Sequence, residues 1–233
     1  MGRPNRVRED TMRTLRLIGR GLTDTLENLL PFTLLTLAWW VCLGLVIPAP
    51  AATVTLAAMA DPRRTVDRPD WREALGAVRR NLWRGWGVLL PLLPIVAVLL
   101  ANLSFYSGGT DRWDVLVPLW TVLLVFALAV ALYASAVAGL TDATAWSATK
   151  RAGLLVVRRP GQALAVAVVV LFVIAVGAAL VVPLVMFVPA LIAAVVNRVV
   201  LDGLGSPVLD PLAPTDERLV EEQRRATASR FGP

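Results

Sequence analysis

The sequence predicts an all-α fold, a polytopic membrane helical bundle with about five or six membrane segments and amphipathic helices at the membrane surface. Hydrophobic residues make up 57% of the 233 residues, against roughly 45–50% in soluble domains. Several apolar runs approach the roughly 20 residues that a helix needs to cross a bilayer. We therefore divide the chain into an N-terminal cytoplasmic amphipathic segment, a membrane bundle and a cytoplasmic tail that we expect to be largely disordered: residues 1–28, 29–201 and 202–233.

Six apolar segments follow one another along the bundle. They cover residues 29–47, 51–60, 86–105, 115–140, 163–182 and 183–201. All but the second have nearly the length that a membrane span requires. Pro183 leaves almost no loop between the last two segments, so we expect a tight hairpin or a kinked pair there.

Basic residues are distributed unevenly around these segments. Of the 23 Lys and Arg residues, 22 lie in residues 1–28, 61–85 and 141–162 or in the C-terminal region from Arg198 onward, and only Arg112 lies in the loop YSGGTDRWD. The positive-inside rule places the four basic stretches, and with them both termini, in the cytoplasm. We expect a multi-pass membrane protein, with anionic lipid headgroups as partners of the arginines and no nucleic-acid partner.

The stretch LVIPAPAATVTLAAMAD, residues 45–61, interrupts this regular pattern. The flanking basic stretches are both expected inside, so the chain between them must cross the membrane and return. Residues 51–60 rise only about 15 Å as a helix. The return is either a half-span sheltered by protein or a helix that continues past Asp61. A half-helix can form a transporter's substrate site, but small residues also suit a tightly packed helical hairpin, which we favour.

Five residues are candidates for a functional or structural role at this turn. Pro48 and Pro50 interrupt the helix, and the hydroxyl of Thr53 can bond backbone groups that they leave unpaired. Asn28 and Asn197 each lie where a cytoplasmic segment meets an apolar run. Either could bond the broken backbone near Pro48 or a neighbouring helix.

Three amphipathic segments each precede a membrane-spanning run: TMRTLRLIGRGLTDTLENL, DWREALGAVRRNLWRGW and TAWSATKRAGLLVVRRP. Apolar residues recur at spacings of three and four, with Arg or Lys on the other face, which is typical of a helix in the membrane interface. The alternative is that the three helices pack on one another as a cytoplasmic cap. Their recurrence suggests a three-fold repeat, 11–60, 71–140 and 144–201.

The sequence contains no pattern typical of an enzyme. Histidine is absent, Cys42 is the single cysteine, and there is no nucleophile–base pair, metal cluster or nucleotide motif. We predict no catalytic, cofactor-binding or metal-binding residues. No ionisable residue lies in the middle of an apolar segment, which argues against a proton-coupled pump but not against a passive channel.

The sequence resembles the YesL family of bacterial multi-pass membrane proteins. The resemblance rests on an Asn that opens the first span (Asn28), on the turn PAPAATVTLAAM that follows that span, and on the segment WREALGAVRRNLWRGW that leads into the next long span. It covers most of residues 11–201 and implies a protein of the bacterial cytoplasmic (inner) membrane. It also implies a non-enzymatic role accessory to carbohydrate utilisation or transport, beside a sugar ABC transporter. The alternative function is a small-solute permease or channel that uses the broken hairpin at Pro48–Thr53.

Overall fold

The computed structural model describes residues 3–27, 29–63, 71–107, 116–180 and 185–205. Within these ranges the chain is built from α-helices, which confirms the predicted fold class. The helices are α1 (Arg3–Glu27), α2 (Leu29–Gly44), α3 (Ala49–Met59), α4 (Trp71–Arg80), α5 (Leu82–Leu89), α6 (Leu93–Ser107), α7 (Val117–Leu140), α8 (Ala145–Arg158), α9 (Pro160–Leu180) and α10 (Val188–Gly203).

Three of these helical stretches are long and apolar enough to cross a membrane. They are α7, α9 and the 26-residue run Leu82–Ser107, which contains α5 and α6. At most a third of the most apolar part of each is buried inside the bundle, so their outer faces are suited to contact lipid. The protein is therefore a membrane protein. α2 and α3 are apolar but shorter.

The run from α5 to α6 bends at Leu90–Leu92, where Pro91 and nearby Pro94 each lack the N–H that a regular helix needs. Backbone bonds from Leu90 to Trp86 and from Leu92 to Leu89 carry the chain through the bend. The predicted third segment is thus a bent helix that starts at Leu82, four residues earlier than the apolar pattern indicated.

The core lies around α7 and α10. α7 packs against α3, α5, α6, α8, α9 and α10, and α10 is buried from Ala194 through Asp202. Alanine and valine dominate the buried positions. Such small side chains let helices approach closely, which is how helices associate in lipid.

The three amphipathic segments pack on the membrane helices. α1 lies against α10, α4 against α3, and α8 against α7, whereas the described parts of α1, α4 and α8 make no extensive contact with one another. The second segment, however, also includes the start of α5, which packs against α8. Two of the three segments therefore contact one another, whereas α1 makes no extensive contact with the other two among the described residues. α8 buries Ala148 and Ala152 but exposes Trp146 and Val157, so apolar side chains remain on its outer surface, as in an interfacial helix.

The arginine-rich segments meet at one end of the bundle. Arg63 donates to the carbonyl of Leu140 (3.0 Å), and Arg84 donates to the carbonyl of Ala143. Buried Asp202, at the end of α10, accepts from Arg13 and Arg159. We call this the arginine end. The four basic stretches that the positive-inside rule assigns to one side thus each place residues at the same end.

Candidate functional site: a half-span helix and the cavity beside it

α3 is a half-span. Its 11 residues measure about 16 Å, roughly half of the hydrocarbon core. A Cβ on Gly139, in the last turn of α7, would lie 2.6 Å from the carbonyl oxygen of Val54 and 2.8 Å from the amide of Ala58. α3 is therefore level with the arginine end of α7, and the turn that precedes it lies about 10–15 Å from that end, measured along the helix.

The prolines begin α3 rather than break it. Pro48 is the N-cap residue and Pro50 lies in the first turn of the helix, where the missing N–H would have no intrahelical acceptor. The turn before them is tight: Val46 has a φ of 61°, in the left-handed region that a β-branched residue rarely occupies. The indole of Trp86 donates to the carbonyl of Ile47 (2.9 Å), which satisfies one backbone acceptor of the turn.

Thr53 ties the two helices of the hairpin together. Its hydroxyl donates to the carbonyl of Ala49 (3.0 Å) and accepts from the indole of Trp39 on α2 (3.0 Å). One side chain thus bonds the first turn of α3 and links it to α2. The sequence led us to expect that this hydroxyl bonds backbone left unpaired by the prolines. The structure differs, because the carbonyl of Ala49 lies in the first turn of α3 and the carbonyl of Val46 accepts from the amide of Ala49.

Asn197 closes the opposite end of α3. Its side-chain amide donates to the carbonyls of Ala57 (2.7 Å) and Ala60 (2.9 Å). The last carbonyls of a helix have no intrahelical partner, and these two lie inside the bundle. Asn197 itself is fully buried, and its Oδ1 atom has no hydrogen-bond partner among the described residues.

Two glycines outside the hairpin make its packing possible, and sequence reasoning missed them. Gly139 contacts the C-terminal half of α3, and a Cβ on Gly85 would lie 2.5 Å from the amide nitrogen of Ala51. Four small residues, Ala51, Ala52, Ala57 and Ala58, were expected to admit a neighbour; the first three are buried and Ala58 is half-buried. The neighbouring helices must also lack a side chain at the contact. In the sequence, the only indication of these two contacts was that a glycine interrupts each of the two helical segments.

The two partners of the hairpin differ in exposure. Eight of the 11 residues of α3 are buried, and the other three are half-buried. In contrast, α2 exposes Leu30, Leu34 and Val41, and the turn exposes Ile47. The protein interior therefore encloses α3, whereas α2 and the turn present an apolar outer surface.

A cavity of about 290 Å³ lies beside α3. Residues from α2, α3, α7, α9 and α10 line it, and it is partly open to the outside of the bundle. Almost all of its surface is apolar. The polar residues among those that line it are Trp39, Trp40, Thr53, Ser135 and Asn197.

The structure brings some of the predicted residues together. Thr53 and Asn197 both line the cavity, Pro50 is buried in the first turn of α3, and Pro48 is half-buried at its start. Asn28 lies outside the described residues. In the part of the chain that the structure describes, no three Cys, Asp or Glu side chains are grouped as a metal site would require.

Comparisons with known proteins do not assign the chain to a family. No protein-family model, no curated protein and no solved structure matches the chain. The resemblance to the YesL family stays a prediction, and functional inference rests on the geometry of the hairpin.

Proposed function

We propose that this chain is a non-enzymatic integral protein of the bacterial cytoplasmic membrane that acts as an accessory component beside a sugar ABC transporter. In this proposal both termini lie in the cytoplasm. The observation that carries the proposal is the enclosure of α3: Asn197 bonds one end of the helix, Thr53 links the other to α2, and the glycines of α5 and α7 contact its backbone.

This enclosure favours the accessory role over a permease. A path for a polar solute through the hairpin needs either room beside α3 or polar groups that replace water. The contacts at Gly85 and Gly139 leave no room for a side chain, much less a solute. The cavity beside α3 is too apolar to offer a sugar the several hydrogen bonds that its hydroxyls need.

The outer surface of the amphipathic helices supports a docking role. α8 carries Trp146, Leu154 and Val157 exposed beside Lys150 and Arg151, and the ammonium of Lys150 lies 5.1 Å from the Trp146 ring centre. Such a mixed surface suits either the headgroup layer or a partner membrane protein. We assign α8 to the contact with the transporter.

Affinity purification from native membranes tests the proposal, with Trp146→Ala and Phe172→Ala as a matched pair. Both positions carry exposed aromatic side chains (60% and 67% exposed), but Phe172 lies on the membrane-spanning α9. We expect sugar-transporter subunits in stoichiometric amount with the wild type and Phe172→Ala, and a clear loss with Trp146→Ala. Absence of such subunits contradicts the proposal, and sugar flux from liposomes that hold only this protein supports the permease.

A further inference from the structure

The cavity beside α3 has no role in the accessory function proposed above. It lies within the bundle, against α3, most of whose residues are buried. Genuinely empty apolar cavities occur, but one of about 150 Å³ already accepts benzene. At about 290 Å³ this cavity is nearly twice that size, so it has room for about twelve carbon atoms.

The lining indicates what kind of molecule fits. Leu128, Leu132, Val170 and Ile192 supply apolar surface from three helices. Thr53 already bonds Ala49 and Trp39, and the Asn197 amide is committed to the end of α3. Among the lining residues, unpartnered buried polar atoms remain only on Trp40 and Asn197 as far as the described ranges show. A water cluster or a sugar would need more polar partners than this, whereas an alkyl chain needs none.

The cavity is continuous with the surface that faces lipid. Ile174 lines it and is 38% exposed, on the same helix as the exposed Leu171 and Phe172. On the other side, α2 packs on α3 and α10 but makes no extensive contact with α7 or α9 in the described structure. The opening therefore lies between membrane helices, where the acyl chains of the bilayer are the adjacent solvent.

We propose that the cavity is a binding site for one acyl chain of a bilayer phospholipid, which enters between α2 and α9 and lies against α3. The chain fills space that water cannot occupy favourably and supplies contacts that the lining residues otherwise lack. Its headgroup stays outside the cavity, so the site selects for the chain and not for the headgroup charge.

Photolabelling in vesicles tests this site. The protein is reconstituted into phosphatidylethanolamine and phosphatidylglycerol that contain a small fraction of phosphatidylglycerol with a mid-chain diazirine. After irradiation, mass spectrometry locates the labelled residues. Leu56 and Ala57 on α3 are at most 5% exposed, so lipid around the bundle does not reach them. Label on α3 reports a chain in the cavity, while label on Phe172 reports the surrounding bilayer.

We expect α3 to be labelled in the wild type and to lose that label several-fold in Ala136→Phe, which fills the cavity from α7. Ala175→Phe, on the exposed face of α9, should leave it unchanged. If Ala136→Phe does not fold, Ala193→Leu narrows the cavity from α10 at a half-buried position with less crowding. Absence of label on α3 while Phe172 is labelled overturns the proposal. So does label that the filling variants do not reduce, or label obtained only from a free diazirine fatty acid.

Discussion

Replacement of Asn197 by leucine, a side chain of similar size, should destabilise the bundle because it leaves two buried carbonyl groups without a hydrogen-bond donor. Asn197 is fully buried and donates to the carbonyls of Ala57 and Ala60. A buried polar group left without its partner costs about 1–3 kcal/mol, so the two carbonyls together cost about 2–4 kcal/mol after partial relaxation. Leucine also removes the Oδ1 atom, which is buried without a partner among the described residues. Its removal stabilises the folded protein by about 1 kcal/mol. We therefore expect a net loss of about 1–3 kcal/mol.

Asn102→Leu is the matched control for this experiment. Asn102 donates only to Val98 within its own helix, at an exposed site, so its loss leaves no carbonyl buried without a partner. Unfolding of both variants in mixed micelles, titrated with a denaturing detergent, gives the two free-energy changes. Equal changes for Asn197→Leu and Asn102→Leu would refute the inference that Asn197 holds the end of α3.

Two further predictions concern packing and topology. Gly139→Ala should destabilise the protein by about 1–3 kcal/mol, because its Cβ would overlap α3. Gly153 has open space around it, so Gly153→Ala should be neutral or slightly stabilising in the same titration. Equal unfolding midpoints for the two variants would contradict the close contact at Gly139. In a Cys42→Ala background, an impermeant thiol reagent applied to intact cells should label a cysteine at Ser107 and not one at Ala228, and the reverse pattern would overturn the proposed orientation.

The sequence predicted the helices well because an apolar run forms a helix through its own residues, without help from distant parts of the chain. An apolar run of sufficient length must form a helix in lipid, since its backbone groups have no other partner. Each of the six apolar segments accordingly contains a helix in the structure. Pro48 and Pro50 were predicted to interrupt the helix, because proline acts on its own backbone. In the structure they lie instead at the start of α3, after the turn.

The depth of α3 in the bundle could not be predicted from the sequence around it. It depends on Gly85 and Gly139, which lie on other helices and come near α3 only in the folded bundle. Asn197 is 140 residues from Ala57, and the sequence left open whether it bonds the turn at Pro48 or a neighbouring helix. The structure places it at the far end of α3, where the unpaired carbonyls lie.

The placement of the amphipathic helices was also open. A three- and four-residue apolar pattern is equally suited to lipid, to a membrane helix or to another amphipathic helix. In the structure, α8 uses one apolar side, with Ala148 and Ala152, to pack on α7 and another, with Trp146 and Val157, at the outer surface. Val156 is also buried on the inner side whereas Val157 is exposed, so residue size alone would not have separated the two sides.

The depth of the turn before α3 tests the central claim most directly. A spin label on Val46→Cys, in a Cys42→Ala background and in vesicles, reports its collisions with oxygen, which concentrates in the bilayer core, and with a water-soluble nickel chelate. A label on Ser107→Cys, at the end of α6, is the reference for the membrane surface. A half-span α3 predicts high oxygen collision and low nickel collision at Val46. Nickel collision as frequent at Val46 as at Ser107 would mean that the hairpin reaches the opposite surface, and the half-span account would be wrong.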